Sequence, residues 1–168
     1  MEEIKIKVIG HKIQKVVYSE VNDHDGKFYY DGFDILDHGI NVQMENGYWW
    51  NLCWKDEEYF EFGEGRYDHN QYLNSDEIKS WEATERWNEV LSFIVTDFSI
   101  NFIDEAEFIP AQVSIVFDNG RRITIMIAEA LNLDESIPTP LEYEFGGKIY
   151  VFHNEDLLKE IKTDTNIS

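Results

Sequence analysis

The chain has 168 residues, 43% of them apolar and 15% aromatic, with 34 acidic against 14 basic side chains and a formal charge of -20. It is too apolar for disorder, long enough to bury a core without staples, and of ordinary size for one domain. The charge repels phosphate backbones and anionic lipid, which disfavours nucleic acid and membrane surfaces as partners, and the lone Cys53 excludes an internal disulfide.

In chain order, the opening "MEEIKIKVIG" carries acids where a secretory signal carries bases. Its Ile4, Ile6 and Val8 alternate with Lys5 and Lys7, the period-two pattern of a half-buried strand. Gly10 marks a bulge or bend before "KIQKVVYS" resumes the alternation. "VNDHDGKFYYDG" reads as a turn and a short aromatic strand. "GINVQMENGYWWNLCW" reads as a hairpin, "EYFEF" as a further strand, and Gly63 to Ser80 as a polar loop long enough to be mobile or functional. Trp81, Thr84, Trp87, Leu91 and Ile94 recur at three- and four-residue steps, which predicts a helix from about Trp81 to Val95, with Ser80 as its cap. "FSINFI" alternates as a strand, and "QVSIVFDNGRRITIMIAEA" is a second Asn-Gly hairpin. "YEFGGKIYVF" reads as a tight third hairpin, and "NEDLLKEIK" as a closing helix over about 155–162, capped by Asn154.

The two Asn-Gly hairpins align at a shift of 73 residues, Gly47 on Gly120. Alternation and turn residues alone account for that likeness, which makes convergence the simpler reading than duplication. Loop length decides what faces where. A two-residue loop splits the apolar positions of each hairpin between both faces. A three-residue loop, with Gly in the left-handed conformation, pairs Met44 with Tyr48, Val42 with Trp50 and Ile40 with Leu52. It likewise pairs Ile115 with Ile123 and Val113 with Ile125. All the apolar positions then fall on one face, so the three-residue loop is expected in both hairpins. Trp50, Leu52 and Trp54 become core.

That register leaves Trp49 on the opposite face, among Asn41, Gln43, Asn51 and Cys53. It is either packed under a second layer or an aromatic anchor for a partner, rimmed by the acids that follow: Glu57, Glu58, Glu61 and Glu64.

Catalytic patterns are weak. His24, His38 and His69 each neighbour an aspartate and suit a divalent metal only if their loops converge, with no HxH or HExxH spacing behind them. Cys53 has no basic neighbour that activates a strand thiol. Glu57, Glu58 and Glu61 form close acid pairs that 34 acids produce by chance. No phosphate-binding glycine loop is present, and no metal or cofactor is expected.

In composition alone the chain resembles bacterial toxin-neutralising immunity proteins, a likeness of kind that carries no motif. The expected fold is a β-dominated α+β single domain, an antiparallel meander curled into a sandwich or open barrel with one central helix. The expected function is a non-enzymatic cytoplasmic protein that neutralises or regulates a basic protein partner, such as a toxin, through Trp49 and its acids. The alternatives are a β-barrel module with a small ligand in its aromatic interior, and a metal-dependent hydrolase built on the loop histidines.

Overall fold

The computed structural model describes residues 2–21, 29–55, 59–106, 108–130, 141–143 and 147–160. The chain begins as helix α1 (Glu2–Val8), not a strand. Its pattern satisfies both periods, because Ile4 and Val8 are four apart and share a helical face. Val8 is buried while Ile6, the third member of the alternation, is 75% exposed. Glu2 and Glu3 occupy the first turn and Lys5 and Lys7 the last, each complementing the helix dipole. Gly10, at φ 86, ends the helix.

Eleven strands follow among the described residues: β1 (Ile13–Val21), β2 (Phe33–Leu36), β3 (Gly39–Met44), β4 (Trp49–Trp54), β5 (Phe60–Glu64), β6 (Ile78–Glu82), β7 (Val95–Asp104), β8 (Ile109–Phe117), β9 (Arg122–Ala130), β10 (Leu141–Tyr143) and β11 (Lys148–Phe152). Helix α2 (Glu155–Glu160) comes last, its Asp156 N–H donating 2.9 Å to Asn154 Oδ1 at the expected cap. The first sheet has the order β5-β4-β3-β1-β6. The second runs β2-β11-β9-β8-β7, with β10 paired to the far end of β9, and every pairing in both sheets is antiparallel.

The molecule is thus β-dominated, with two antiparallel sheets facing one another as a sandwich. One apolar cluster fills the space between them, joining Tyr18, Ile40, Val42, Trp50 and Leu52 of the first sheet to Phe98, Val113, Ile115, Ile125 and Val151 of the second. Of the two expected forms the sandwich is the one realised, because the strands divide into two separate sheets: β5 and β6 end one, β2 and β7 the other.

Both Asn-Gly hairpins have the expected register. Ile40 faces Leu52 and Val42 faces Trp50; Val113 faces Ile125 and Ile115 faces Ile123. Met44 N–H donates to Tyr48 O at 2.8 Å, and Gly47 and Gly120 sit at φ 85 and 81. The third hairpin does not form among the described residues, because β10 pairs with β9 and β11 runs between β9 and β2.

The predicted central helix is also replaced. Residues 78–82 are instead strand β6, adding to the open edge of β1 with Ser80 opposite Ser19 and Trp81 opposite Tyr18. Ser80 therefore caps nothing. A 3-10 turn (Thr84–Trp87) and further turns take up the rest of the span to Ser92. Its backbone bonds run mainly to the third residue back: Arg86 to Ala83 O, Asn88 to Glu85 O, Val90 to Trp87 O. The tighter winding explains why Trp87 and Val90, three apart, are buried while Ile94 is 37% exposed. A run of three- and four-residue steps suits either winding, and the ladder that β1 offers decides between them.

Candidate functional site

The outer face of β3 and β4 carries Trp49, as expected, and its cover is the loop between β5 and β6. Asn41 grips that loop at Tyr67 from both sides: its Nδ2 donates to Tyr67 O at 3.0 Å, and its Oδ1 accepts from Tyr67 N–H at 2.7 Å. Asn51 Nδ2 donates to Gly65 O at 2.8 Å, and Asn70 Nδ2 to Trp54 O at 2.8 Å. Three asparagines thus replace strand pairing with side-chain bonds. The polar character of this strand face is what holds the loop to it.

Trp49 itself stays partly exposed. The Arg66 guanidinium lies 5.5 Å from its ring centroid, and Arg66 Nε also meets Asp68 at 2.6 Å. The ring is therefore already occupied by a cation, in the geometry that aromatic faces prefer. Lys55 repeats the motif 4.9 Å over Tyr67. Its ammonium runs across Gly63, where any Cβ would collide with it, and burial lowers its pKa. At the loop's outer bend Tyr72 is 52% exposed, with Asp68, Asp76 and Glu77 exposed on the same loop.

Strand register separates the expected acids. Glu61 lies opposite Cys53 and so shares the Trp49 face. Glu64 lies opposite Trp50, on the other face, where Lys7 Nζ donates to it at 2.9 Å. Glu57 and Glu58 fall outside the described residues. Asp68 and Tyr72, which sequence reasoning left in an undifferentiated loop, are held near this face by the asparagines.

The described histidines form no metal site, although Asp68 and His69 are near enough to His38 to act on its charge. His38 is fully buried and its Nδ1 shares a 2.7 Å hydrogen bond with Ser19 Oγ, while its buried Nε2 has no partner among the described residues. Burial is the main cause that lowers its pKa, to about 4. His69 is exposed and stacks on Tyr67 at 4.4 Å, and His24 lies outside the described residues. Among the described residues no three His, Cys, Asp or Glu side chains are placed to hold a metal. Cys53 is fully buried, and burial pushes its thiol up to about 12, which makes it a poor nucleophile.

Sequence reasoning missed a second cluster. Asp34 on β2 has no solvent exposure, yet four donors converge on it. Tyr18 OH and His153 Nε2 each approach Oδ2 at 2.8 Å, and Arg86 brings Nε to Oδ1 at 3.0 Å and Nη2 at 2.5 Å. Trp87 Nε1 in turn donates to Tyr18 OH at 2.9 Å. The Tyr18 phenol is pushed well above its usual range by burial first and by Asp34 second. Since Tyr18 belongs to the first sheet and Asp34 to the second, the carboxylate joins the two layers. It also orients Arg86 and His153, which line a cleft of about 690 Å³ between the 3-10 turn, the β8–β9 turn and the start of α2. Three of the chain's four arginines line that cleft, each in an internal ion pair: Arg86 with Asp34, Arg121 with Glu89, Arg122 with Glu155. The cleft is a charge-paired seam at one end of the sandwich, outside the packed interior.

No family model, curated protein or solved structure matches this chain.

Proposed function

We propose that this chain is a non-enzymatic binding protein that captures a basic protein partner and neutralises or regulates it, as an immunity protein does a toxin. One observation carries the reading: Trp49, on a face held rigid by Asn41, Asn51 and Asn70, already receives a guanidinium, within a molecule of charge -20. A lysine or arginine of the partner takes the place of Arg66 on the ring, with Asp68 as its counter-charge and Glu61 further along the same face. Tyr72 supplies a second aromatic contact, and the acidic field draws the partner in from a distance. A loop already fixed by the asparagine side-chain bonds loses little entropy on binding, so more of the contact energy appears as affinity.

The test is affinity capture with the native chain and with Trp49→Ala, each at low and high salt. The reading expects a basic protein retained at low salt and released at high salt. Trp49→Ala should weaken that complex by about 2 kcal/mol with little loss of stability. Retention that salt does not change, or a Trp49→Ala variant that unfolds, would overturn it.

A further inference from the structure

The edge strand β7 presents features that the sandwich does not require. It is the longest strand, ten residues, and it ends its sheet. Its first residue is sealed by the segment after α1: Gly10 N–H donates to Val95 O at 2.8 Å, and Val95 N–H to His11 O at 2.9 Å. Beyond Val95, none of the described residues hydrogen-bonds to its outer edge, although α1 packs against the strand. Bulges interrupt its pairing with β8 between Val95 and Asp97 and again after Asn101. Between them Asp97 to Asn101 keep unbroken register, a five-residue template whose outer backbone groups bond to none of the described residues.

At the end of that template sits Phe108, 71% exposed and at φ 55, the one non-glycine among the described residues with positive φ. Its ring meets Phe102 edge-on at 6.0 Å. An exposed phenylalanine in a left-handed conformation costs the fold twice, once in strain and once in wetted apolar surface, and a short-chain Asn or Gly would cost neither. Along the sequence, the charges on either side of it share one sign. Between Arg86 and Arg121 the chain has no lysine or arginine, and it carries Glu89, Asp97, Asp104, Glu105, Glu107 and Asp118.

We infer that the outer edge of β7 from Asp97 to Asn101, with the Phe102–Phe108 ring pair, receives an extended basic segment of the partner as an added strand. The inference rests on the basic-partner reading above and names a docking edge for it. Backbone bonds supply the affinity, the two rings grip the segment's apolar side chains, and the carboxylates select lysine or arginine at the alternate positions. A second copy of this chain is disfavoured as the occupant, because two such edges would place like charges against each other. Phe62 of β5 lies 6.1 Å from Phe98 of β7, so this edge flanks the same side of the sandwich as the Glu61-bearing strand.

The probe is a short synthetic peptide of alternating lysine and valine, titrated into the isotope-labelled full chain, with a glutamate-valine peptide as control. The expected result is shifted amide resonances and slowed amide exchange over Asp97–Asn101 with the lysine peptide alone. Phe108→Gly should weaken that binding at least about tenfold while its Tm stays level or rises, because glycine accepts the φ that phenylalanine resists. Equal binding of the glutamate peptide overturns the inference, and so does a Phe108→Gly variant with lowered Tm and unchanged affinity. A lysine peptide that shifts only Trp49 and the Tyr67–Tyr72 loop removes the β7 edge but leaves the basic-partner reading standing. One that shifts neither region overturns both.

Discussion

His38 shows how one buried ring sets an acid limit on the fold. Its pKa falls to about 4 when buried, against a usual value of 6.5, so the folded state resists the proton that the unfolded chain accepts. The sign follows: this contribution is fully present above pH 6.5 and is lost as pH falls toward 4. By pH 5 roughly 2 kcal/mol has gone. Urea unfolding at pH 7 and pH 5 should therefore show native stability falling by about that much more than in His38→Gln, whose side chain does not titrate. Gly47 makes the complementary case for backbone strain. Nothing lies within 4 Å of the Cβ it lacks, so Gly47→Val has no clash to relieve and pays only for its φ of 85. The expected cost is on the order of 1–2 kcal/mol, read by the same unfolding assay. That glycine was legible in the sequence because only one loop length put Ile40, Val42, Trp50 and Leu52 on one face. His38 was not, since nothing local announces that a histidine beside an aspartate will be buried against a serine 19 residues earlier.

Among the elements, the segment from Ile78 to Ser92 carries the sharpest test. Trp87 is buried at its centre although no α-helix surrounds it, so Trp87→Ala should cost roughly 3–5 kcal/mol by leaving a cavity and removing the donor to Tyr18 OH. Arg86 beside it should matter nearly as much. Arg86→Ala strips two of the four hydrogen bonds from the fully buried Asp34, and breaking a buried pair from one side costs about 3–5 kcal/mol. Thermal unfolding of Asp34→Asn, which removes the charge as well, should show a smaller loss than Arg86→Ala. Periodicity failed here and at α1 for the same reason: two or three apolar residues fit several windings, and the neighbouring ladder or the shared core decides. It succeeded where alternation ran long, as in β7, β8 and β9. The Asp34 cluster had no local signal at all, because its members come from positions 18, 34, 86 and 153.

For the whole molecule, the charge of -20 sets the behaviour that local bonds do not. Self-repulsion spread over one compact sandwich should make thermal stability rise with added salt by a few degrees, the opposite of a fold held by surface ion pairs. Calorimetry across a salt series checks this. The described ion pairs are mostly half-exposed, such as Lys7–Glu64 and Lys15–Glu82, and screening them removes little.

The pairing of β2 with β11 reaches across most of the chain: His153 meets Asp34 over a separation of 119 residues. On a ribosome, β2 emerges first and waits while the long intervening stretch is made before its partner β11 appears. Phe33 and Leu36, both buried in the finished fold, stay uncovered through that interval. The second sheet therefore cannot be completed until β11 has been made, and the nascent chain passes through a stage with an apolar strand edge on display. A protein released before β11 would keep that edge for life, which makes the interval between β2 and β11 the stage of translation at which this molecule is most open to misassembly.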